Sequence, residues 1–227
     1  IIVTLIADGF YEQDLKKIGV KIISLGINEN NKIYDFIKKV FILRKFVKEN
    51  NPDVIQSWMY HSNFISIFLQ KKYHEKIYWN IRHSELNNKI SKKITIFLSI
   101  ICGILSKIVP KKIIYCSEKS IKFHENKHFY SNKKTSLIDN GYSHKTYYQA
   151  NNLRKNFRKK NKIKKVDIIL GYAGRYSKQK NIEALLISFS KIIQNYNNVY
   201  LYMAGKDINL QNKQLTSIVS KFRMGKK

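Results

Sequence analysis

Short apolar runs rich in Ile and Val alternate with longer segments of helical period from one end of this chain to the other, and that alternation limits the folds open to it. Runs of strand character are Ile1–Ile6, Lys21–Leu25, Asp53–Ser57, Ile77–Ile81, Ile113–Cys116, Thr135–Ile138, Asp167–Ala173 and Val199–Met203. Between them, helical patterns fall near Asp35–Glu49, Ser62–Gln70, Lys92–Lys107, Glu118–His128, Ile182–Tyr196 and Gln211–Phe222. A strand with one wet face alternates apolar and polar residues, whereas a near-continuous apolar run needs cover on both faces. Crossover helices supply that cover when the strands are parallel. The expected class is therefore α/β, with Rossmann-like doubly wound parallel sheets. No internal repeat of fixed period is present.

One stretch breaks the alternation. Residues 143–165 are polar and lysine-rich, with a single short helical segment at Asn152–Lys160, before a fresh strand opens at Val166. This reads as a linker between a first domain, 1–142, and a second, 166–227. Two such units imply a cleft lined by the carboxyl ends of both sheets, where ligands of open α/β sheets bind.

At 227 residues and 44% hydrophobic content the chain can bury a sizeable core and is not disordered in composition. Its net charge of +28 comes almost wholly from lysine, with arginine only at 44, 82, 154, 158, 175 and 223. Such a charge attracts anions: nucleotide phosphates, nucleic acid or an anionic membrane. Abundant Lys, Ile and Asn are also what an A/T-rich coding sequence over-supplies, so part of the charge belongs to solvated faces. Nucleic-acid recognition predicts arginine-rich patches or aromatic platforms, and neither stands out. Two cysteines, Cys102 and Cys116, are too few for a disulfide framework or a zinc site, so a reducing cytoplasmic setting is the default. The longest uncharged apolar stretch, Ile94 to Ser106, is shorter than the about 20 residues a spanning helix needs, and reads as a buried or membrane-surface helix.

The segment richest in chemistry runs from Asp167 to Asn181, D-I-I-L-G-Y-A-G-R-Y-S-K-Q-K-N, and leads into a helix. Gly174 clears space beside the backbone, Arg175 and Lys180 bring two cations, and Asn181 is placed to cap the helix. Helix N–H groups with an arginine and a lysine nearby make an anion site. On spacing alone, an ordinary strand-to-helix turn with solvated basic residues fits as well.

This segment resembles the motif that opens the second domain of family 4 glycosyltransferases of the GT-B type, in which glycine-arginine and, after a gap, lysine-asparagine precede the helix. The strand Val199 to Gly205, V-Y-L-Y-M-A-G, and the segment Thr135 to Tyr142, T-S-L-I-D-N-G-Y, are similar to the family's as well, although Asp139 stands where proline is usual. Asn140-Gly141 also suits a simple tight turn. Tyr147 to Arg158 resembles the family's linker. In the first domain, Pro52 to Asn63 and Tyr78 to Glu85 (Y-W-N-I-R-H-S-E) resemble strands whose ends face the cleft.

The resemblance implies a GT-B fold of two Rossmann-like domains and transfer of a sugar, with retention, from a nucleotide-sugar donor to a glycan or lipid-linked glycan. It implies that Gly174, Arg175 and Lys180 grip the donor diphosphate and that no metal or other cofactor is needed. It puts His83 forward as the catalytic residue, with His61, Glu118, Asn140 and Gly141 lining the acceptor side or cleft. Each histidine could equally satisfy a neighbouring backbone group, and Glu118 could simply complement a helix N-terminus. His124 and His128, four apart on one helical face, read as surface histidines and not metal ligands.

The family's opening strand with its glycine-rich loop, and its glutamates spaced seven apart, have no counterpart here. The expectation is of a partial chain, inactive alone, with its second domain incomplete. The alternatives are a non-catalytic remnant or partner subunit and, less favoured, a basic nucleic-acid-binding protein. The expected location is cytoplasmic, with peripheral contact on an anionic membrane.

Overall fold

The computed structural model describes residues 1–27, 33–87, 90–143, 151–222 and 224. The elements are β1 (Ile2–Thr4), α1 (Glu12–Lys17), β2 (Ile22–Ser24), α2 (Ile33–Asn50), β3 (Ile55–Trp58), α3 (Met59–Ser66), β4 (Ile77–Ile81), α4 (Lys93–Leu105), β5 (Lys112–Tyr115), α5 (Glu118–His128) and β6 (Thr135–Leu137), then α6 (Asn151–Lys160), β7 (Ile168–Ala173), α7 (Ile182–Asn195), β8 (Val199–Ala204) and α8 (Lys213–Lys221). They fall into two compact units, Ile1–Gly141 and Tyr142–Lys227. Every strand pairing is parallel.

In the first unit β3, β4, β5 and β6 lie side by side in chain order, and β1 pairs with β2 as a separate ribbon. The register Ser57↔Trp79↔Ile113↔Thr135 puts these four residues on one face of the larger sheet. Ile77, Trp79, Ile81, Ile113 and Tyr115 on that face are wholly buried and form the core with Tyr60, Tyr73, Leu98 and Cys102. Helices α3, α4 and α5 are the successive crossovers between these strands and pack on one another, as right-handed connections in one direction require. The Trp79 indole donates to Ser66 Oγ at 2.8 Å, so the largest core side chain meets its polar need inside the unit.

The chain departs from its periodicity in three places. Helix α1 buries no residue and carries almost no apolar pattern, so nothing in the local sequence announces it. Helix α3 follows β3 without a loop, because Met59 takes a left-handed φ of 69° and turns the chain in one residue. Third, His124 and His128 are buried and not on the surface. Their face of α5 turns inward, where His124 meets the Tyr60 hydroxyl at 2.8 Å and the Ser120 carbonyl at 2.7 Å, and His128 meets Ser99 Oγ at 2.7 Å. Buried imidazoles need such partners, and the inner faces of α3 and α4 supply them.

In the second unit β7 and β8 pair over six residues, and α7 and α8 cover one face by packing Ile182, Leu186, Phe189 and Leu215 against β8 residues such as Val199. Helix α6, within the lysine-rich stretch, is tied to the same unit. Phe157 stacks edge-on against Tyr202 at 5.0 Å, and Arg158 donates to the carbonyls of Lys164 and Asp167.

Candidate functional site

The loop after β7 is built by two glycines facing each other. The Gly174 amide donates to the Ala204 carbonyl and the Tyr176 amide to the Lys206 carbonyl, each at 2.9 Å, so the loop is held along the continuation of β8. Gly205 has φ 148°, and a Cβ there would lie 2.1 Å from the Gly174 carbonyl oxygen. A Cβ on Gly174 would lie 2.7 Å from the Tyr172 hydroxyl. The close approach of the two strand ends requires glycine at 205, where backbone stands in the way of a Cβ, whereas the Tyr172 side chain could move aside for one at 174.

Beyond Gly174 the chain passes Arg175, makes a 3-10 turn over Lys178–Lys180 and enters α7. Arg175 and Lys180 are both exposed, and neither is ion-paired among the described residues. Asn181 stands at the cap position but in the left-handed region, φ 46° and ψ 47°, and its side chain makes no capping bond. The sequence reading of Asn181 as a capping residue is thus corrected: its backbone is too far from the extended geometry that lets a side chain reach back to the first turn. The N-terminus of α7 is therefore left without a side-chain acceptor, which suits it to an anion.

In the first unit the candidate residues gather at the carboxyl edge of β3–β6. Arg82, just after β4, organises this edge. Its Nη1 donates to Asn140 Oδ1 at 3.2 Å, its Nη2 to Asn80 Oδ1 at 3.3 Å, and its guanidinium lies 5.0 Å from the Trp58 ring centre. Asn140 is thereby tied to the end of β4, while Gly141 is exposed with open space around it. Sequence reasoning passed over Arg82 and Trp58. The available signal was an arginine, rare in this lysine-dominated chain, directly beside His83 at a strand end.

His83 is half-buried, its carbonyl accepts from Ser120 Oγ at 2.7 Å, and its ring lies 5.9 Å from that of Tyr60. Its Nδ1 is buried without a hydrogen-bond partner. Burial holds its pKa below the usual histidine value, which favours the neutral ring. His61 lies in the first turn of α3, not in a loop, and is exposed; partial burial and then the charge of Lys92 lower its pKa. Glu118 is the exposed first residue of α5, where Ser117 Oγ accepts from the Ser120 amide at 3.2 Å and the carboxylate complements the helix dipole. Tyr147, the opening residue of the linker resemblance, lies outside the described residues. Among the described residues no group of three or more His, Cys, Asp or Glu side chains is placed to hold a metal. A hollow of about 690 Å³ lined by Lys107, Glu125, Tyr130 and Lys134 lies away from the carboxyl edge.

No family model matches the chain, and no curated protein matches it in sequence. Solved structures do match. HepE of Anabaena, known in complex with UDP, with UDP-glucose, and with UDP and glucose, superposes with a TM-score of 0.76 at 14% identity over 98% of this chain. The fold is of the GT-B type. A glycosyltransferase from Rickettsia africae matches with TM-score 0.67 at 13% identity over 98% of this chain and 57% of its own length. WaaG, a glycosyltransferase involved in lipopolysaccharide biosynthesis, matches with TM-score 0.62 at 11% identity over 98% of this chain and 67% of its own. The GT-B chain described here spans 58% of the length of HepE in its UDP complex.

Proposed function

We propose that this chain carries the acceptor-side and donor-phosphate parts of a retaining, metal-independent glycosyltransferase resembling family 4, acting from a nucleotide sugar on a glycan or lipid-linked glycan. The observation that carries the reading is the Gly174–Gly205 contact. It holds an exposed arginine at the carboxyl end of a parallel strand, and a lysine at the uncapped start of α7, in a fold shared with a protein known in complex with UDP-glucose. In this reading Arg175 pairs with the diphosphate through its planar fork and Lys180 adds a mobile charge. Together they stabilise the charge that grows on the departing diphosphate. His83, kept neutral by burial, hydrogen-bonds a sugar or acceptor hydroxyl at the edge that Arg82 and Asn140 hold in shape.

Calorimetric titration with UDP and UDP-glucose in the presence of EDTA tests the donor half. Binding is expected without metal, and Arg175→Ala combined with Lys180→Ala should weaken it by at least about tenfold, since hydrogen bonds to charged groups contribute about 1.5–3 kcal/mol each. Equal affinity of the double variant, or no affinity of the unaltered chain for either nucleotide, would sink the reading.

A further inference from the structure

Arg82 carries a charge that no described neighbour balances. Its hydrogen bonds all go to neutral acceptors: Nη1 to Asn140 Oδ1 at 3.2 Å and to the Ile138 carbonyl at 3.5 Å, and Nη2 to Asn80 Oδ1 at 3.3 Å. Charge-assisted bonds close to about 2.7–2.9 Å, so these are loose. The Nε atom is buried with no partner. Among the described residues no carboxylate pairs with Arg82, and Glu85, three positions on, is taken by Lys119 at 3.0 Å. Asp139, beside Asn140, is exposed and makes no ion pair either. A half-buried guanidinium in this setting has lost water without gaining a counter-charge.

The fold nevertheless holds the group in one place. Asn80, the register partner of Trp58, is wholly buried, and its Nδ2 donates to the Ser57 carbonyl at 3.3 Å, which turns its Oδ1 toward the guanidinium. The Arg82 amide donates to Met59 Sδ at 3.4 Å. The guanidinium lies over the Trp58 ring, 5.0 Å from its centre. Stacking uses the plane of the group and leaves its in-plane N–H donors to a partner that can accept two at once. Lysine, the common cation of this chain, has neither the plane nor the fork.

The place of Arg82 says whose anion it awaits. It stands at the carboxyl edge of β3–β6, directly before His83, which the proposed function sets against a sugar or acceptor hydroxyl. The donor diphosphate falls in that function to Arg175 and Lys180 of the other unit. We propose that Arg82, held on Trp58, is a specificity residue that binds an anionic substituent of the acceptor, so that the acceptor sugar carries a carboxylate or a phosphate. Assigning the anion to an acceptor rests on the glycosyltransferase reading, and it turns Arg82 from a residue that shapes the edge into one that touches substrate.

Titration of the full chain with methyl glucuronide, glucose 6-phosphate, methyl glucoside and inorganic phosphate, followed by tryptophan emission and by calorimetry, provides the test. Trp79 is wholly buried and Trp58 is half exposed against Arg82, so a ligand that draws on the guanidinium alters the emission of Trp58. A saturable change is expected with an anionic sugar, and affinity at least about tenfold lower for the glucoside and for inorganic phosphate. The tighter of the two anionic sugars identifies the substituent. Arg82→Gln should weaken binding by about tenfold or more, the loss of a hydrogen bond to a charged group. Arg82→Lys, which keeps the charge without the fork, should restore only part of it. Asn140→Ala removes a neutral acceptor but leaves the guanidinium, and should keep the affinity. Equal losses in Asn140→Ala and Arg82→Gln would show that the pair only shapes the edge, and would overturn the proposal. So would equal affinity for the glucoside, or a response to UDP alone that Arg82→Gln abolishes. Binding of UDP with no response to either anionic sugar would end the proposal and leave the donor half of the proposed function standing.

Discussion

His124 is held inside the first unit in one tautomer: Nδ1–H donates to the Ser120 carbonyl at 2.7 Å, and Nε2 accepts from the Tyr60 hydroxyl at 2.8 Å. Burial, the dominant cause, brings its pKa to about 4 from 6.5, and burial moves His128 in the same direction. With the folded-state pKa below the unfolded one, the unfolded chain binds more protons as pH falls. The contribution of neutral His124 is fully present above about pH 6.5 and is lost as pH falls toward about 4. For His124 the loss should approach about 1.4 kcal/mol per pH unit in the middle of that window. Melting temperature followed from pH 7 downward should drop, with a shallower slope in His124→Gln; an unchanged slope would mean that the imidazole does not titrate on unfolding. The four-residue spacing of His124 and His128 is plain in the sequence, but the direction their face points is not. That depends on Tyr60, which is 64 residues away. The Arg82–Asn140 pairing is hidden for the same reason, its partners lying 58 residues apart. His83 was legible because a strand end fixes its place by local pattern alone.

At the level of elements, the two glycines at the ends of β7 and β8 make a sharper prediction than either strand. Gly205→Ala would set a Cβ 2.1 Å from the Gly174 carbonyl, at a φ that side chains rarely adopt, so the loop carrying Arg175 must move. Backbone offers no rotamer to escape by, and such overpacking costs about 1–3 kcal/mol or more. UDP affinity should fall with stability in Gly205→Ala, whereas Gly171→Ala, with nothing within 4 Å, should leave both nearly unchanged. Equal nucleotide affinity in the two variants would separate the loop from the ligand. The eight strands among the described residues occur within about two residues of where the apolar runs put them, although only β4 is buried along nearly its whole length and β7 leaves Ile168 and Leu170 exposed. Boundaries set by single-residue geometry were not legible. Met59, at φ 69°, begins α3 three residues early and carries His61 into a helix, and Asn181 enters α7 in the left-handed region instead of capping it.

Over the whole molecule, the charge of +28 must be accommodated by two units with few acids between them. The ion pairs Glu12–Lys16, Asp14–Lys17, Glu49–Lys45 and Glu85–Lys119 all involve solvent-accessible side chains, where such pairs contribute about 0–1 kcal/mol. Repulsion among the many lysines is then the larger electrostatic effect, and it opposes compaction. Added salt shortens the screening length from about 10 Å at 0.1 M to about 3 Å at 1 M, relieving repulsion between neighbouring lysines more than it weakens exposed pairs. Melting temperature in a sodium chloride series should therefore rise. Salting-out of apolar surface would also raise it, but without depending on any one lysine. Helix α6 separates the two causes, because Arg154, Lys155, Arg158, Lys159 and Lys160 crowd on ten residues with no acid among them. Lys155→Gln with Lys159→Gln should melt higher than the unaltered chain at low salt and show a shallower rise with added salt. A parallel salt series for the two proteins would assign the stabilisation to apolar surface and leave the charge of α6 without a role in stability.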